Sequence, residues 1–205
     1  MDSQRFLEAH KHAQGYIPRV TLRAVLPNRH AGAIIGVKGC RVQSIESTYA
    51  VKVQMTPVLG RLVMISGSAK NVAKAWKVAL MYLADTFSEY YKQNPGISFL
   101  ISKDLVALLK NPLDINLNFE YMARSTHTQL RVKEGTVPRS SERVVQVSIQ
   151  SMDQLNAFEN LVYLLADVTR IYTHLSMSPE TVYFIPTGAE DDVYIQNMKD
   201  ETIFM

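Results

Sequence analysis

Two glycines, Gly36 and Gly39, lie three residues apart and flank Val37 and Lys38. Glycine adopts positive φ angles without strain and lets a ligand approach the backbone closely. Helical patterns precede and follow these four residues, so backbone N–H groups at the start of the second helix would face a ligand in the loop. Together with the positive charge of Lys38, this arrangement favours a phosphate ligand. The alternative is an ordinary turn between two helices.

The elements that position this loop are predicted from hydrophobic periodicity and turn residues. Their order is β-α-α-β-β-α, with strands at 20–26, 51–55 and 62–65, a short helix on each side of the loop, and a long helix after residue 68. The long helix has an apolar stripe at helical spacing that includes Val72, Trp76 and Leu83. Three lysines on its opposite side are interpreted as a solvated face: Lys70, Lys74 and Lys77.

A second unit with the same order of elements is predicted over residues 97–172, after a break at 92–96. The spacing agrees, because 14 residues separate Gly39 from Val53 and 14 separate Asn116 from Leu130. Such agreement indicates a duplicated unit. At the position of the glycine loop the second copy has Leu113, Asp114, Ile115 and Asn116. Because it lacks glycine and has an acidic residue there, we expect a structural or protein-binding role. A ligand contact through its loop at 134–142 is left open.

The stretch AGAIIGVKG at residues 31–39, with Val42 and Ile45 following at the expected spacing, resembles a KH domain of the eukaryotic type. Such domains occur in tandem in hnRNP K and the poly(C)-binding proteins. The resemblance implies an α+β fold of two tandem KH folds, each a three-stranded antiparallel sheet packed on three helices. The implied boundaries are an N-terminal extension at 1–16, a KH domain with a GxxG loop at 17–92, a degenerate KH-like domain at 97–172 and an acidic C-terminal tail at 173–205.

The same resemblance implies single-stranded RNA binding without catalysis, in which the loop clamps about four nucleotides. Core packing is the alternative interpretation for Ile35, Val42 and Val53. Glu46 departs from the family, in which a basic residue often contacts a base here. A carboxylate would repel phosphate or select a base that offers an amino group. The implied RNA-binding residues are Ala31, Gly32, Ile35, Gly36, Val37, Lys38, Gly39, Arg41, Val42, Val53, Met55 and Arg61.

Charge is distributed unevenly along a chain whose net charge is only +3. Residues 1–95 have 13 Lys and Arg against 5 Asp and Glu, whereas residues 96–205 have 9 against 14. An excess of positive charge in the first half favours a nucleic-acid partner, because phosphates attract Lys and Arg. A solvated charged surface is the alternative. Within the acidic tail, Glu190, Asp191 and Asp192 are interpreted as a solvated run.

Little in the sequence favours an enzyme, and we expect no cofactor and no metal. None of the 5 histidines has the spacing of a metal site, and no His is placed to activate Cys40. No nucleotide-binding glycine motif is present. No apolar run is long enough to span a bilayer, so no membrane partner is expected. A single cysteine favours a reducing compartment, which is the nucleus, the cytoplasm or both.

Two functions from different classes remain open at this point. The first is a single-stranded RNA-binding protein, with single-stranded DNA as a possible ligand, that acts in mRNA processing or post-transcriptional regulation as part of a ribonucleoprotein. The second is a protein-interaction scaffold in an RNA-related complex. The scaffold would bind a protein partner or form a homodimer through the second unit or the long helices.

Overall fold

The computed structural model describes residues 19–27, 30–56, 62–93, 95–111, 118–176, 180–187 and 189–205. The first unit consists of β1 (Val20–Val25), α1 (Ala31–Ile35), α2 (Cys40–Tyr49), β2 (Lys52–Met55), β3 (Leu62–Gly67) and α3 (Ala69–Thr86), followed by α4 (Ser88–Gln93). The second consists of β4 (Gly96–Ser102), α5 (Lys103–Lys110), α6 (Phe119–Thr126), β5 (Gln129–Lys133), β6 (Glu142–Ser148) and α7 (Leu155–Ile171). The remainder forms α8 (Thr173–Ser176), α9 (Ala189–Asn197) and β7 (Asp200–Phe204).

The predicted α+β class is confirmed, and the order β-α-α-β-β-α occurs twice. The strands form one antiparallel sheet of seven, in the order β2-β3-β1-β4-β6-β5-β7. Each unit contributes three neighbouring strands, as predicted, and the two sets join where β1 pairs with β4. Ala24 lies opposite Phe99 at this seam, and Val25 lies opposite Ser98. The domain boundaries and the KH assignment of the second unit stay predictions.

The main core lies between one face of the sheet and the helices. Ser68 caps α3 by accepting a hydrogen bond from the Asn71 N–H at 3.3 Å, which satisfies one of the free donors at the helix start. The apolar stripe of α3 is fully buried, and each large side chain contributes about 1.5–3 kcal/mol to folding. Trp76 packs edge-on against Phe99 of β4, with 5.2 Å between ring centroids. The two units therefore share one core.

The long helices α3 and α7 pack directly against each other. Lys77 does not lie on a solvated face, as the sequence suggested. Its ammonium group pairs with Glu159 of α7, and it donates a hydrogen bond to the Asn156 side chain at 3.2 Å. The position is half-buried because α7, which is distant in sequence, covers that side of α3.

The opposite face of the sheet is covered in part by the segment before β7. Phe184 is buried there against apolar side chains of β1, β3, β4 and β6. A buried ion pair between Arg23 and Glu142 holds this segment in place. Arg23 donates to the carbonyl oxygen of Phe184 at 2.7 Å, and the Phe184 N–H donates to the Glu142 carboxylate at 2.7 Å. The ion pair thus binds both the carbonyl group and the N–H group of Phe184.

The acidic run of the tail is not wholly solvated, which corrects the interpretation from the sequence. Asp191 is 4% exposed and accepts hydrogen bonds from the Arg139 guanidinium at 2.8 Å and from the Thr187 N–H at 2.7 Å. Burial raises the pKa of the Asp191 carboxyl, but the bonds from Thr187 and Arg139 outweigh it, so the pKa lies below its ordinary value. Glu190 beside it is exposed.

Strand β7 was not predicted, because its residues belong to the stretch interpreted as a tail. It pairs antiparallel with β5, where Leu130 lies opposite Phe204. Phe204 also packs against Phe119 of α6, with 5.7 Å between ring centroids. Among the helices formed by the described residues, none has the length and hydropathy that crossing a membrane requires.

Candidate nucleic-acid interface

The glycine loop has the backbone conformation that its sequence predicted. Gly36 and Gly39 have φ angles of +70° and +80°, and Lys38 between them is also left-handed at +51°. The Gly36 N–H donates to the Gly32 carbonyl at 2.9 Å, which ends α1 and turns the chain outward. Val37 is 80% exposed, and Lys38 is exposed beside it. The loop therefore projects a small apolar side chain and a cation into solvent.

The loop leads directly into the first turn of α2. Gly39 occupies the N-cap position of α2, and no side chain caps that end of the helix. The N–H groups of a helix's first turn lack partners within the helix and carry a partial positive charge. An anion at the loop would meet these donors and the Lys38 ammonium together. The geometry suits a phosphate group bound mainly by the backbone.

Arg41, in the first turn of α2 after the loop, contacts the two neighbouring helices α1 and α3. Its guanidinium donates to the Ala33 carbonyl at 2.9 Å and to the Thr86 hydroxyl at 3.1 Å, and it pairs with Asp85 at 3.2 Å. It also lies 4.5 Å above the Tyr82 ring. These contacts tie α2 to the end of α1 and to the last turn of α3. The phosphate contact expected for Arg41 stays a prediction, and the bracing role could not be seen in the sequence.

A shallow apolar surface runs beside the loop, between α1 and α2 on one side and β2 on the other. Ile35 is 39% exposed, and Val42 and Met55 are half-buried against the core. Gly32 is exposed, and a side chain added to it would meet no atom within 4 Å. The surface is thus open along α1. Two of the residues implied by the resemblance, Ala31 at 2% and Val53 at 7% exposed, lie in the core beneath it.

Glu46 closes the outer edge of this surface. β2 is an edge strand, and the Val53 N–H that points away from β3 donates to the Glu46 carboxylate at 2.9 Å. Lys52 pairs with the same oxygen at 3.0 Å. The hydrogen bond from Val53, followed by that from Lys52, lowers the pKa of the Glu46 carboxyl. Glu46 is therefore held as a carboxylate that already has two protein partners.

A buried aromatic cluster supports α1 and was not found from the sequence. The His30 ring, directly before α1, stacks on Phe87 with 4.0 Å between centroids, and its Nδ1 lies 3.2 Å from the Tyr91 hydroxyl. Burial lowers the pKa of His30, which favours the neutral ring. The contacts come from α4 and the end of α3, so a lone His in the sequence offered no signal for them.

Some predicted residues lie outside the described part of the chain. Arg61 is one of them, and so are the four residues 113–116 that replace the glycine loop in the second unit. Within the described residues, no cluster of three or more His, Cys, Asp or Glu is arranged to hold a metal ion. Cys40, next to the loop, is exposed and unbonded.

Comparisons with known proteins give a family match within the first unit. Residues 21–79 match the KH domain family model, a span that runs from β1 into α3 and includes the loop, α2 and β2. The chain is also 28% identical over 155 residues to "RNA-binding protein rnc1" of Schizosaccharomyces pombe. That match covers 68% of this chain, so it extends well beyond the KH match into the second unit. It covers 37% of the relative's own length.

Proposed function

We propose that this protein binds single-stranded RNA through the first unit and acts without catalysis. The observation that carries the proposal is the loop: two left-handed glycines present an exposed lysine at a helix start that no side chain caps. The KH match and the similarity to an RNA-binding protein support RNA as the ligand. The excess of basic residues in the first half supports an anionic partner.

In the proposed mechanism the loop holds the backbone and the neighbouring surface holds the bases. Phosphates lie against the Gly36–Gly39 loop and Lys38, and about four nucleotides are bound. Bases lie over Gly32, Ile35 and Val42, where no aromatic side chain is needed because contact is by shape and base edge. Arg61, which directly precedes β3 in the sequence, is proposed to contact a base. The Glu46 carboxylate accepts the hydrogen bond from the Val53 N–H at the open edge of β2. A base that approaches this edge therefore meets a carboxylate and must offer an amino group.

We further propose a role in post-transcriptional regulation of mRNA, in the nucleus, the cytoplasm or both. A groove for about four nucleotides gives limited affinity, so strong binding requires a second contact on the same strand or a partner. Single-stranded DNA is a possible second ligand, because a clamp that binds mainly phosphates makes few contacts to the 2′-hydroxyl that distinguishes RNA.

The test is fluorescence anisotropy of a randomised pool of short RNA oligonucleotides at two salt concentrations, with a matching DNA pool. The double variant Val37→Asp, Lys38→Asp places two carboxylates where phosphate is proposed to bind. The matched control is Val193→Asp, Lys70→Asp, which makes the same substitutions at exposed positions on α9 and α3. Gly32→Leu tests the base surface separately, since the added side chain meets open space in the protein.

We expect the loop variant to lose RNA affinity by at least about tenfold, with a reduced salt dependence, because it loses a phosphate contact and gains repulsion. The control should bind as the wild type does. Gly32→Leu should bind weakly while melting at or above the wild-type temperature, because Leu forms helix better than Gly. Equal binding by the loop variant and the control would contradict the proposal.

The second candidate function, a protein-interaction scaffold, is favoured by a different observation. A largely apolar cleft of about 700 Å³ lies between the outward faces of β1, β3 and β4 and the segment that contains Tyr183 and Ile185. Ile185 is 68% exposed at its rim. The long helices pack against each other, which leaves less of their surface for a partner. The cleft is therefore the better place for a partner segment with apolar side chains. If the wild type does not bind RNA, the scaffold function is the favoured one.

A further inference from the structure

A polar pocket of about 320 Å³ lies where the two units meet. Its lining comes from the end of β1, from α4, and from β4, β5 and β6 of the second unit. Ser98, Gln146 and Arg131 lie side by side on neighbouring strands, because Ser98 pairs with Gln146 and Gln146 pairs with Arg131. Directly paired residues point to the same face of a sheet. The join of the two units therefore builds the pocket.

The charge of the pocket favours an anion. Arg131 and Lys133 line it, and none of the described residues that line it is acidic. Asp200 of β7 pairs with both cations, at 2.6 Å from the Lys133 ammonium and 3.7 Å from the Arg131 guanidinium. Arg131 also donates to the Gln129 side-chain oxygen at 2.8 Å. Two cations thus share one carboxylate, and the site keeps an excess of positive charge.

An aromatic ring completes the pocket. Tyr90 of α4 is 55% exposed, yet its ring is held by edge contacts with Tyr91 at 4.9 Å and with His30 at 5.1 Å between centroids. An exposed, restrained aromatic ring is a stacking surface for a base. The Gln146 amide offers both a donor and an acceptor, and Ser98 adds a hydroxyl, so base edges can be met nearby.

We infer that this pocket binds a further nucleotide of the same RNA strand, beyond those held by the glycine loop. The base would stack on Tyr90 beside Gln146, and the phosphate would lie at Arg131 and Lys133. A volume near 300 Å³ is at the lower end of small-ligand pockets and suits one nucleotide. The inference rests on the proposed RNA binding at the first unit and assigns the second unit a part in it.

Only a short stretch of chain separates the pocket from the loop. His30 touches Tyr90 and directly precedes α1, and α1 leads to Gly36. The five residues of α1 rise by only about 8 Å. Linking two weak contacts on one strand raises the overall affinity through the effective concentration at the second site. This supplies the second contact that a short groove requires.

The experiment compares RNA pools of about five and about twelve nucleotides, since only the longer one spans both sites. The variant is Tyr90→Ser, Arg131→Gln, which leaves the pair between Lys133 and Asp200 intact. The matched control is Tyr163→Ser, Arg124→Gln, at positions that are exposed on α7 and α6. Thermal melting of both variants checks the fold, and adenosine monophosphate tests whether a free nucleotide binds the wild type.

We expect the wild type to bind the longer pool more tightly, and the pocket variant to lose about tenfold for that pool while the shorter pool is unaffected. The salt dependence for the longer pool should fall by about one unit of slope. Three results would overturn the inference: no effect on the longer pool, an equal loss for both pools, or adenosine monophosphate binding without any length dependence. If neither pool binds the wild type, both the proposed function and this inference fail. If both pools bind the wild type and only the loop variant loses this binding, the inference fails and the proposed function stands.

Discussion

The two units differ in how the backbone groups along the outward edge of their outer strand find partners. In the first unit β2 is the edge of the sheet, and the outward N–H of Val53 is satisfied by the side chain of Glu46. In the second unit its counterpart β5 is covered by β7, and Phe204 lies against Phe119 of α6. Two units with the same order of elements thus differ at this strand: the surface beside β2 is open, and the surface beside β5 is covered. Whether such a strand borders a ligand surface depends on whether another segment of the chain pairs with it.

The charges repeat this contrast. Lys38 is exposed at the first unit's loop and has no carboxylate among its described contacts. In the second unit, Asp200 and Glu201 of β7 pair with Lys133, Lys110 and Arg143. The protein's own acidic strand therefore compensates part of the positive charge of the second unit, whereas the charge of Lys38 stands at an open loop.

The largest expected effect is on the loop that distinguishes the first unit. Gly36→Ala introduces a side chain at φ +70°, and its Cβ would lie 2.7 Å from Cγ of Arg41. Strain and overlap together should cost about 3 kcal/mol of unfolding free energy and weaken RNA binding. Gly39→Ala is the comparison variant: its φ of +80° is also positive, but its ψ of 10° lies in the left-handed helical region, which Ala reaches at lower cost, and its nearest atom is 4.0 Å away. Urea unfolding measures both, and equal losses would mean that neither the overlap with Arg41 nor the backbone conformation of Gly36 restrains the loop.

An intermediate effect is expected where β7 covers the second unit. Phe204→Ala removes a half-buried ring from its contact with Phe119 and should lower the unfolding free energy by about 2 kcal/mol. Phe204→Leu should lose less, because it keeps most of the apolar contact. RNA binding by the short pool should be unchanged in both. A variant that unfolds as the wild type does would show that β7 adds little to this edge.

The smallest effect is expected at the edge of the first unit. Because Glu46 has a pKa below its ordinary value of 4.5, its bond to Val53 stabilises the fold above that pH and is lost as the pH falls through the lowered value. Glu46→Gln should therefore cost about 0.5–1 kcal/mol at neutral pH, since the group is partly exposed. The difference should shrink toward acid pH. A difference that is constant between pH 3 and pH 7 would contradict this, and unfolding curves across that range provide the measurement.

Much of the first unit follows from local patterns. The strand of alternating residues at 20–26, the two glycines and the apolar stripe after Ser68 each predict one element, and the structure has all of them. Local patterns also locate Val37 and Lys38 in solvent. They do not separate groove floor from core: the resemblance implied Ala31 and Val53 as part of the groove floor, core packing was left open for Val53, and both side chains are buried in the structure. The phosphate contact expected for Arg41 stays a prediction, and the contacts of Arg41 with α1 and α3 could not be read from local patterns.

The sequence was sufficient for the glycine loop, the order of elements in both units and the uneven charge, because each depends on residues close together in the chain. Folding in three dimensions added the pairing of β1 with β4, the strand β7 beside β5, and the buried pair of Arg23 and Glu142 that holds Phe184. These contacts join residues up to 161 positions apart, as between Arg23 and Phe184. Edge strands, buried charges and shared cores are completed by whichever distant segment fits, and no local periodicity encodes that choice.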